Sequence, residues 1–291
     1  MKTLLLSLLA LVAVVLLGLA ALRIFDMRAD RREWARLFSF QPAQPALFDE
    51  AMIAELPEPA QRFFRFAIAP GTRLFRMAEI DMGGLFSLGT EEAPNYLKME
   101  AEQVLASPEG FVWKMRTRSG MPISGSDSGS WTRFRILGLV PVARTGGSVD
   151  HARSAFGRHA AEAIFWTPAV LLPGPGVAWE AIDNETARVT LSHGGLEQAI
   201  DLTVDNDGQP TKVLFMRWSD QNPDKIFRLQ PFAGDLSDFR TVQGFRIPFH
   251  VEAGNHFGTD DYFPFFIAEL TGVRFPEAPD AGQAGSMKLS K

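Results

Sequence analysis

Apolar and polar positions fall into three regimes along this chain. From Leu4 to Leu22 the sequence is almost unbroken apolar, with Lys2 before it and Arg23 after it. Roughly nineteen residues at a helical rise of ~1.5 Å each approach the thickness of a bilayer's hydrocarbon core. The run is therefore expected to be a membrane-spanning helix or the core of an export signal. Gly18-Leu19-Ala20 is a passable cleavage exit, but the run exceeds the ~7–15 residues of a usual signal core, which favours a retained anchor.

Residues 30–68 show helical spacing. Asp30 is placed to cap a helix through Trp34, Leu37 and Phe38, and Gln41-Pro42-Ala43-Gln44-Pro45 breaks it. Phe48, Met52 and Ile53 resume the spacing. Leu56-Pro57-Glu58-Pro59 opens a further helix whose apolar face is Phe63, Phe64, Phe66 and Ala67, since proline is tolerated in a first turn.

From residue 72 the period becomes two. Phe111, Trp113 and Met115 alternate with Lys114, Arg116 and Arg118, and similar alternation recurs at 97–102, 188–192, 200–204 and 246–252. Half-wet strands of this kind belong to antiparallel sheets, and Asp207-Gly208 between two runs signals a hairpin. One helical pattern interrupts them: Asp150 as cap, then Ala152, Ala155, Phe156, Ala160, Ala163 and Ile164, ended by Thr167-Pro168. The expected fold class is α+β, a large curved antiparallel sheet of about 9–11 strands with packed helices. The expected organisation is an anchor or signal over 1–28, a helical lead-in over 29–71, a sheet body over 72–275 with its inserted helix near 150–166, and a disordered tail over 276–291.

Composition narrows the function classes. The formal charge is -5, which argues against a nucleic-acid partner, since that needs a basic face. With no cysteine, thiol chemistry, disulfides and cysteine-ligated metals are excluded. The aromatics are 24 Phe, 6 Trp and 2 Tyr, a set without polar tips that suits a core or an apolar cavity.

Several phrases carry a resemblance. They are Leu137-Gly138-Leu139-Val140-Pro141-Val142, Glu162-Ala163-Ile164-Phe165-Trp166-Thr167-Pro168 with Leu171-Leu172-Pro173, Gly176-Val177-Ala178-Trp179-Glu180, Asp238-Phe239-Arg240, and Gly244-Phe245-Arg246-Ile247-Pro248. With Leu56-Pro57-Glu58-Pro59, Arg62 and Phe66 they resemble an uncharacterised bacterial family, a domain of unknown function whose members often begin with one hydrophobic segment. The similarity spans most of residues 50–275 and implies no activity or catalytic residues. As a fold, the expected curved sheet resembles the half-barrels of periplasmic lipoprotein carriers; fold alone does not fix function.

Candidate chemistry is sparse. His250 and Glu252 share the wet face of one strand and could serve as acid and base, yet their spacing matches no zinc motif; a solvated strand face is the plainer reading. Ser124-Gly125-Ser126-Asp127-Ser128-Gly129-Ser130 has Asp127 where a nucleophile elbow needs serine, so it reads as a turn or polar strand edge. Arg158 and Glu162 are helical neighbours, and Glu162 with Trp166 is placed near the mouth of a cavity. Asp238 and Arg240 share a strand face. The catalytic candidates are thus Glu162, Asp238, His250 and Glu252, and the ligand-binding candidates Trp113, Arg158, Trp166 and Arg240. Rows Lys114-Arg116-Arg118 and Arg133-Arg135 are either a patch for anionic lipid head groups or a mixed-charge surface. Nothing calls for a cofactor or a metal.

The expected function is a membrane-tethered protein that binds a lipid or other hydrophobic ligand on its curved sheet in envelope maintenance. The alternatives are a hydrolase using the carboxylate and histidine groups and a non-catalytic partner-binding module. Arg23, Arg28, Arg31 and Arg32 follow the apolar run, so the positive-inside rule points to a cytoplasmic body; the ligand reading favours an extracytoplasmic one, and secretion after cleavage is the further alternative.

Overall fold

The structure, a computed structural model, describes residues 1–278. The strands are β1 (Ala78–Ser87), β2 (Tyr96–Ala106), β3 (Gly110–Thr117), β4 (Ile123–Ser128), β5 (Trp131–Ile136), β6 (Val140–Gly146), β7 (Val177–Ala181), β8 (Thr186–His193), β9 (Leu196–Val204), β10 (Pro210–Ser219), β11 (Arg228–Val242), β12 (Phe245–Asn255) and β13 (Phe263–Arg274). All 13 lie in one antiparallel sheet, in the order β6-β5-β4-β3-β2-β1-β13-β12-β11-β10-β9-β8-β7. The architecture is the expected α+β one, with 13 strands where the sequence suggested about 9–11. The Ser124–Ser130 stretch, expected as a turn or polar strand edge, mostly lies in β4.

Topology explains why the sheet has a filled inner face. Two meanders, β1 to β6 and β7 to β13, join where β1 pairs with β13. The chain leaves at one sheet edge and returns at the other. Helix α3 (Val149–Trp166) makes that crossing, and it touches strands from both meanders: β2, β3 and β6 on one side, β9, β10 and β12 on the other. The sheet therefore curls round α3, helped by bulges at Asp81/Met82, Phe134/Arg135 and Ala253/Asn255. Ala155, Phe156, Ala160, Ile164 and Trp166 of α3 are buried in the main core with Phe111, Phe215 and Phe249 of the strands. Ser148, not Asp150, caps α3 by accepting from the His151 N–H at 3.1 Å; Asp150 instead accepts from Trp218 Nε1 at 2.8 Å.

Helix α2 (Glu58–Ala67) closes one end of the curled sheet. Its Phe63 and Phe64 meet Trp179 at centroid distances of 6.3 and 5.7 Å. The Asp207-Gly208 turn packs beneath it. Gly208 has φ +84°, and a Cβ there would collide with the Arg62 carbonyl.

Helix α1 runs unbroken from Lys2 to Phe38, so Asp30 caps no separate helix. It lies mid-helix and accepts from Ser126 Oγ at 2.8 Å. The apolar first part of α1 stands free of the body, whereas its last turns lie on the outer face of the sheet. There Leu37 packs with Met77, Val104, Ala106 and Val112 in a second small core. Val104 and Val112 neighbour Leu105 and Phe111 of the main core, so adjacent residues of β2 and β3 face opposite cores, as period two requires. Of the tail expected to be disordered, residues 279–291 lie outside the described residues.

Candidate ligand-binding site

The inner face carries a buried polar cluster where α3 crosses β2, β4 and β10. Arg158 Nε donates to Glu162 at 2.7 Å, and its Nη1 donates to Asp127 at 2.7 Å. Gln103 Nε2 donates to the other Glu162 oxygen at 2.6 Å. Thr132 Oγ1 donates to the other Asp127 oxygen at 2.6 Å and lies 3.1 Å from His151 Nε2. Burial lowers the proton affinity of the Arg158 guanidinium, but the charges of Glu162 and Asp127 outweigh it and the net shift is upward. Both carboxylates are thus fully engaged.

Arg217 is left over. In β10 the inner-facing positions are Val213, Phe215, Arg217 and Ser219, so alternation aims the guanidinium at the interior. Its Nε is buried without an acceptor. Burial and then the Arg158 charge lower it to about 10. A buried donor without a partner is costly, and here it borders half-exposed aromatic rings. The guanidinium carbon lies 5.1 Å from the Phe232 ring centroid. Phe232 contacts Phe215 and Phe265 at 5.3 and 6.2 Å, and Phe265 contacts Phe86 at 5.9 Å. Phe266, the strand partner of Phe86, and Phe134 flank Trp113 at 6.2 and 6.4 Å. Phe86, Phe134, Phe232, Phe265 and Phe266 are all only partly covered. These partly covered phenylalanines and the Arg217 guanidinium gather at the end of the curled sheet opposite α2, the mouth of the curl.

The residues singled out in the sequence go to several places. Trp113 and Trp166 are buried core side chains, with their indole Nε1 atoms unpartnered. Arg158 stacks over Phe111 and Trp113 at 4.6 and 5.2 Å and organises the polar cluster with Glu162. His250 lies across the sheet, on the outer face of β12, with Glu269 2.6 Å from its Nδ1 and Glu252 3.1 Å from its Nε2. Burial lowers the His250 imidazole, but hydrogen bonds to Glu269 and Glu252 outweigh it and the net shift is upward. Asp238 and Arg240 pair with each other at 2.5 Å on an exposed stretch of β11. Alternation puts His250 and Glu252 opposite the inner-facing Phe249 and Val251, so the sheet separates them from Glu162. Asp238, His250 and Glu252 do not join Glu162 in one cleft. Sequence reading overlooked Arg217, although a charge in step with Val213 and Phe215 was a visible signal.

The two basic rows also part company. Arg116 and Arg118 both pair with Glu100, whose carboxyl their hydrogen bonds, Arg118 first, hold down to about 2, and Lys114 pairs with Glu102. Arg133 and Arg135 instead turn toward Asp26 of α1, which is 3% exposed and also takes Arg144. Between α1 and the outer face lies a cleft of about 520 Å³, lined among others by Arg23, Asp26, Asp30, Lys114, Arg116 and Ser126.

A family model, described only as a family of unknown function, matches residues 46–268. No curated protein matches the chain. Among solved structures, a LolA-superfamily protein from Nitrosomonas europaea is similar over 76% of this chain and 94% of its own, at 10% identity and a TM-score of 0.40. A putative outer-membrane lipoprotein-sorting protein domain from Vibrio parahaemolyticus is similar over 71% of this chain and 88% of its own, at 8% identity and a TM-score of 0.35.

Proposed function

The chain belongs to the family of unknown function DUF6544, and with no activity attached to that family we propose from the geometry that it is a membrane-tethered protein whose curved sheet binds a lipid or other hydrophobic ligand. The observation that carries this reading is Arg217, a half-buried cation whose Nε–H is buried and unmatched, set among half-exposed phenylalanines at the end of the sheet opposite α2. Ligand sites combine an apolar lining with a few placed polar groups, and that pairing selects an amphiphile: the rings take the apolar part and Arg217 takes an acceptor on its head. Because α3 fills the depth of the curl, the ligand rests on the mouth, against Phe232, Phe265 and Phe86.

The tether is the first part of α1, apolar, exposed and long enough to cross a bilayer. With the body outside the cytoplasm the site would meet envelope lipids, and a topology reporter fused after Lys291 tests that placement. Binding itself is tested by titrating a fluorescent fatty acid into the full chain in nanodiscs. Wild type binds saturably above the empty-nanodisc background, and Phe232→Asp reduces the affinity at least about tenfold, the effect of ~1.4 kcal/mol. Equal signals from wild type, variant and empty nanodiscs would refute the proposal.

A further inference from the structure

Helix α1 does more than tether, because side chains just past its apolar run fasten it to particular strands. Arg23, the first charge after the run, donates from Nη1 to the carbonyl of Gly138 at 2.9 Å. Gly138 sits in the β5–β6 turn. One turn further along α1, Asp26 holds Arg133, Arg135 and Arg144; a turn beyond, Asp30 holds Ser126. Near its end, Arg36 reaches the Glu109 carbonyl in the β2–β3 turn, at the other end of those strands. The strands of the first meander therefore run alongside α1, with the β5–β6 turn level with the end of the apolar segment and the β2–β3 turn farthest from it.

Exposed apolar side chains gather at that level, in the β3–β4 and β5–β6 turns and the first residues of β6. Leu137 is 69% exposed, Val140 49%, Val142 53%, and Met121 of the β3–β4 turn 53%. The two turns touch, since the Leu137 N–H donates to the Pro122 carbonyl at 2.9 Å. Leu137 also has φ +54°, a conformation that favours Gly, Asn or Asp in a water-exposed turn. A large apolar residue there gains nothing from water and suits an apolar surround.

We infer that the β3–β4 and β5–β6 turns and the start of edge strand β6, through Met121, Leu137, Val140 and Val142, are a second membrane contact, held by α1 in the surface of the bilayer it crosses. This rests on the reading of α1 as an anchor. The occupant is the bilayer itself because the patch lies at the depth where α1 would leave the hydrocarbon. The contact also orients the mouth. Leu97 of β2 lies beside the β3–β4 turn at Gly120, and its neighbour Tyr96 donates to the Pro264 carbonyl at 2.7 Å, next to Phe265. The apolar mouth is thus on the membrane-facing end of the body, where a ligand can pass from the bilayer without crossing water.

The absence of native cysteine makes the test direct. Full-length single-cysteine variants Val12→Cys, Leu137→Cys, Val140→Cys and Glu185→Cys are labelled with a polarity-sensitive fluorophore in phosphatidylcholine/phosphatidylglycerol vesicles. Lipids with nitroxides at defined depths then report immersion, and circular dichroism confirms that each variant is folded. The Val12 label is expected deep in the acyl region, the Leu137 and Val140 labels about 5–10 Å into the interface, and the Glu185 label in water. Labels at 137 and 140 that are quenched no more than the one at 185, with 12 still deep, would overturn the second contact and leave the anchor standing. A label at 12 in water would overturn both.

Discussion

The Asp26 carboxylate accepts two hydrogen bonds from Arg144, at 2.7 and 3.0 Å, joining helix α1 to strand β6 across 118 residues of chain. The same carboxylate faces Arg133 and Arg135. Removing one partner of a buried ion pair is costlier than never having built it, because the charge left behind is unpaired.

Asp26→Asn therefore is expected to leave three arginines facing one another and to cost about 3–5 kcal/mol, the scale for breaking a buried pair. The loss is local to the docking of α1 on β5 and β6. Hydrogen exchange on the full chain in nanodiscs should show faster exchange in residues 23–38 and 131–146 and little change in β8–β10. Uniform exchange across both regions would place the effect elsewhere.

Acid sensitivity is expected from His159. Burial, then the charges of Arg158 and His193, depress this imidazole from its ordinary 6.5 to about 3. The folded protein keeps it neutral while the unfolded chain takes up a proton below pH 6.5. Its neutral form therefore contributes fully above pH 6.5, and that stability is lost as pH falls toward 3. At pH 4.5 the penalty is about 2–3 kcal/mol, at ~1.4 kcal/mol per pH unit. Denaturant midpoints at pH 7 and 4.5 should converge in His159→Gln relative to wild type. An unchanged difference would contradict the assignment.

The sign reverses at His250. Its net shift is upward through hydrogen bonding to Glu269 and Glu252, so its contribution is complete below pH 6.5 and disappears as pH rises through the folded value. The group is a quarter exposed, and solvent screening limits it to under about 1 kcal/mol. Titration of the imidazole by NMR should give a lower midpoint in Glu269→Gln than in wild type. Identical midpoints would show that Glu269 does not hold the His250 proton.

Arg217→Gln separates recognition from packing. The variant keeps a donor and most of the stem but loses the charge, so a ligand with an anionic head should bind several-fold more weakly while a neutral amphiphile is unaffected. Comparing a fatty acid with its methyl ester in the same titration reads this out. Equal losses for both would mean that Arg217 shapes the mouth without contacting a head group.

Much of this arrangement was legible along the chain, for identifiable reasons. Phe111, Trp113 and Met115 face the core and Lys114 and Arg116 face outward because β3 is covered by α3 on one side and only partly by α1 on the other. The α3 pattern was readable because its apolar positions recur at helical spacing. What misled was local chemistry answered by distant partners. Asp30 has the form of a cap, but its carboxylate finds Ser126, so the helix continues. Ser124, Ser126 and Ser128 obscure β4, because Ser126 serves Asp30 and Trp131 rather than solvent. Arg133 and Arg135 read as a free basic row since nothing nearby in sequence names Asp26 as their partner. In the same way, His250 and Glu252 share one chemistry with Glu162, but the sheet lies between them, and Asp238 is exposed on β11 with Arg240 as its partner.

The most direct test of ligand binding at the mouth is photolabelling of the full chain in native membranes with a diazirine fatty acid, followed by peptide mapping. Label is expected on residues 86, 232 and 265 as well as on the apolar part of α1, with the sheet label competed away by unmodified fatty acid. Label confined to residues 4–22 would mean that the chain meets lipid only through its anchor, and would contradict a ligand site on the sheet.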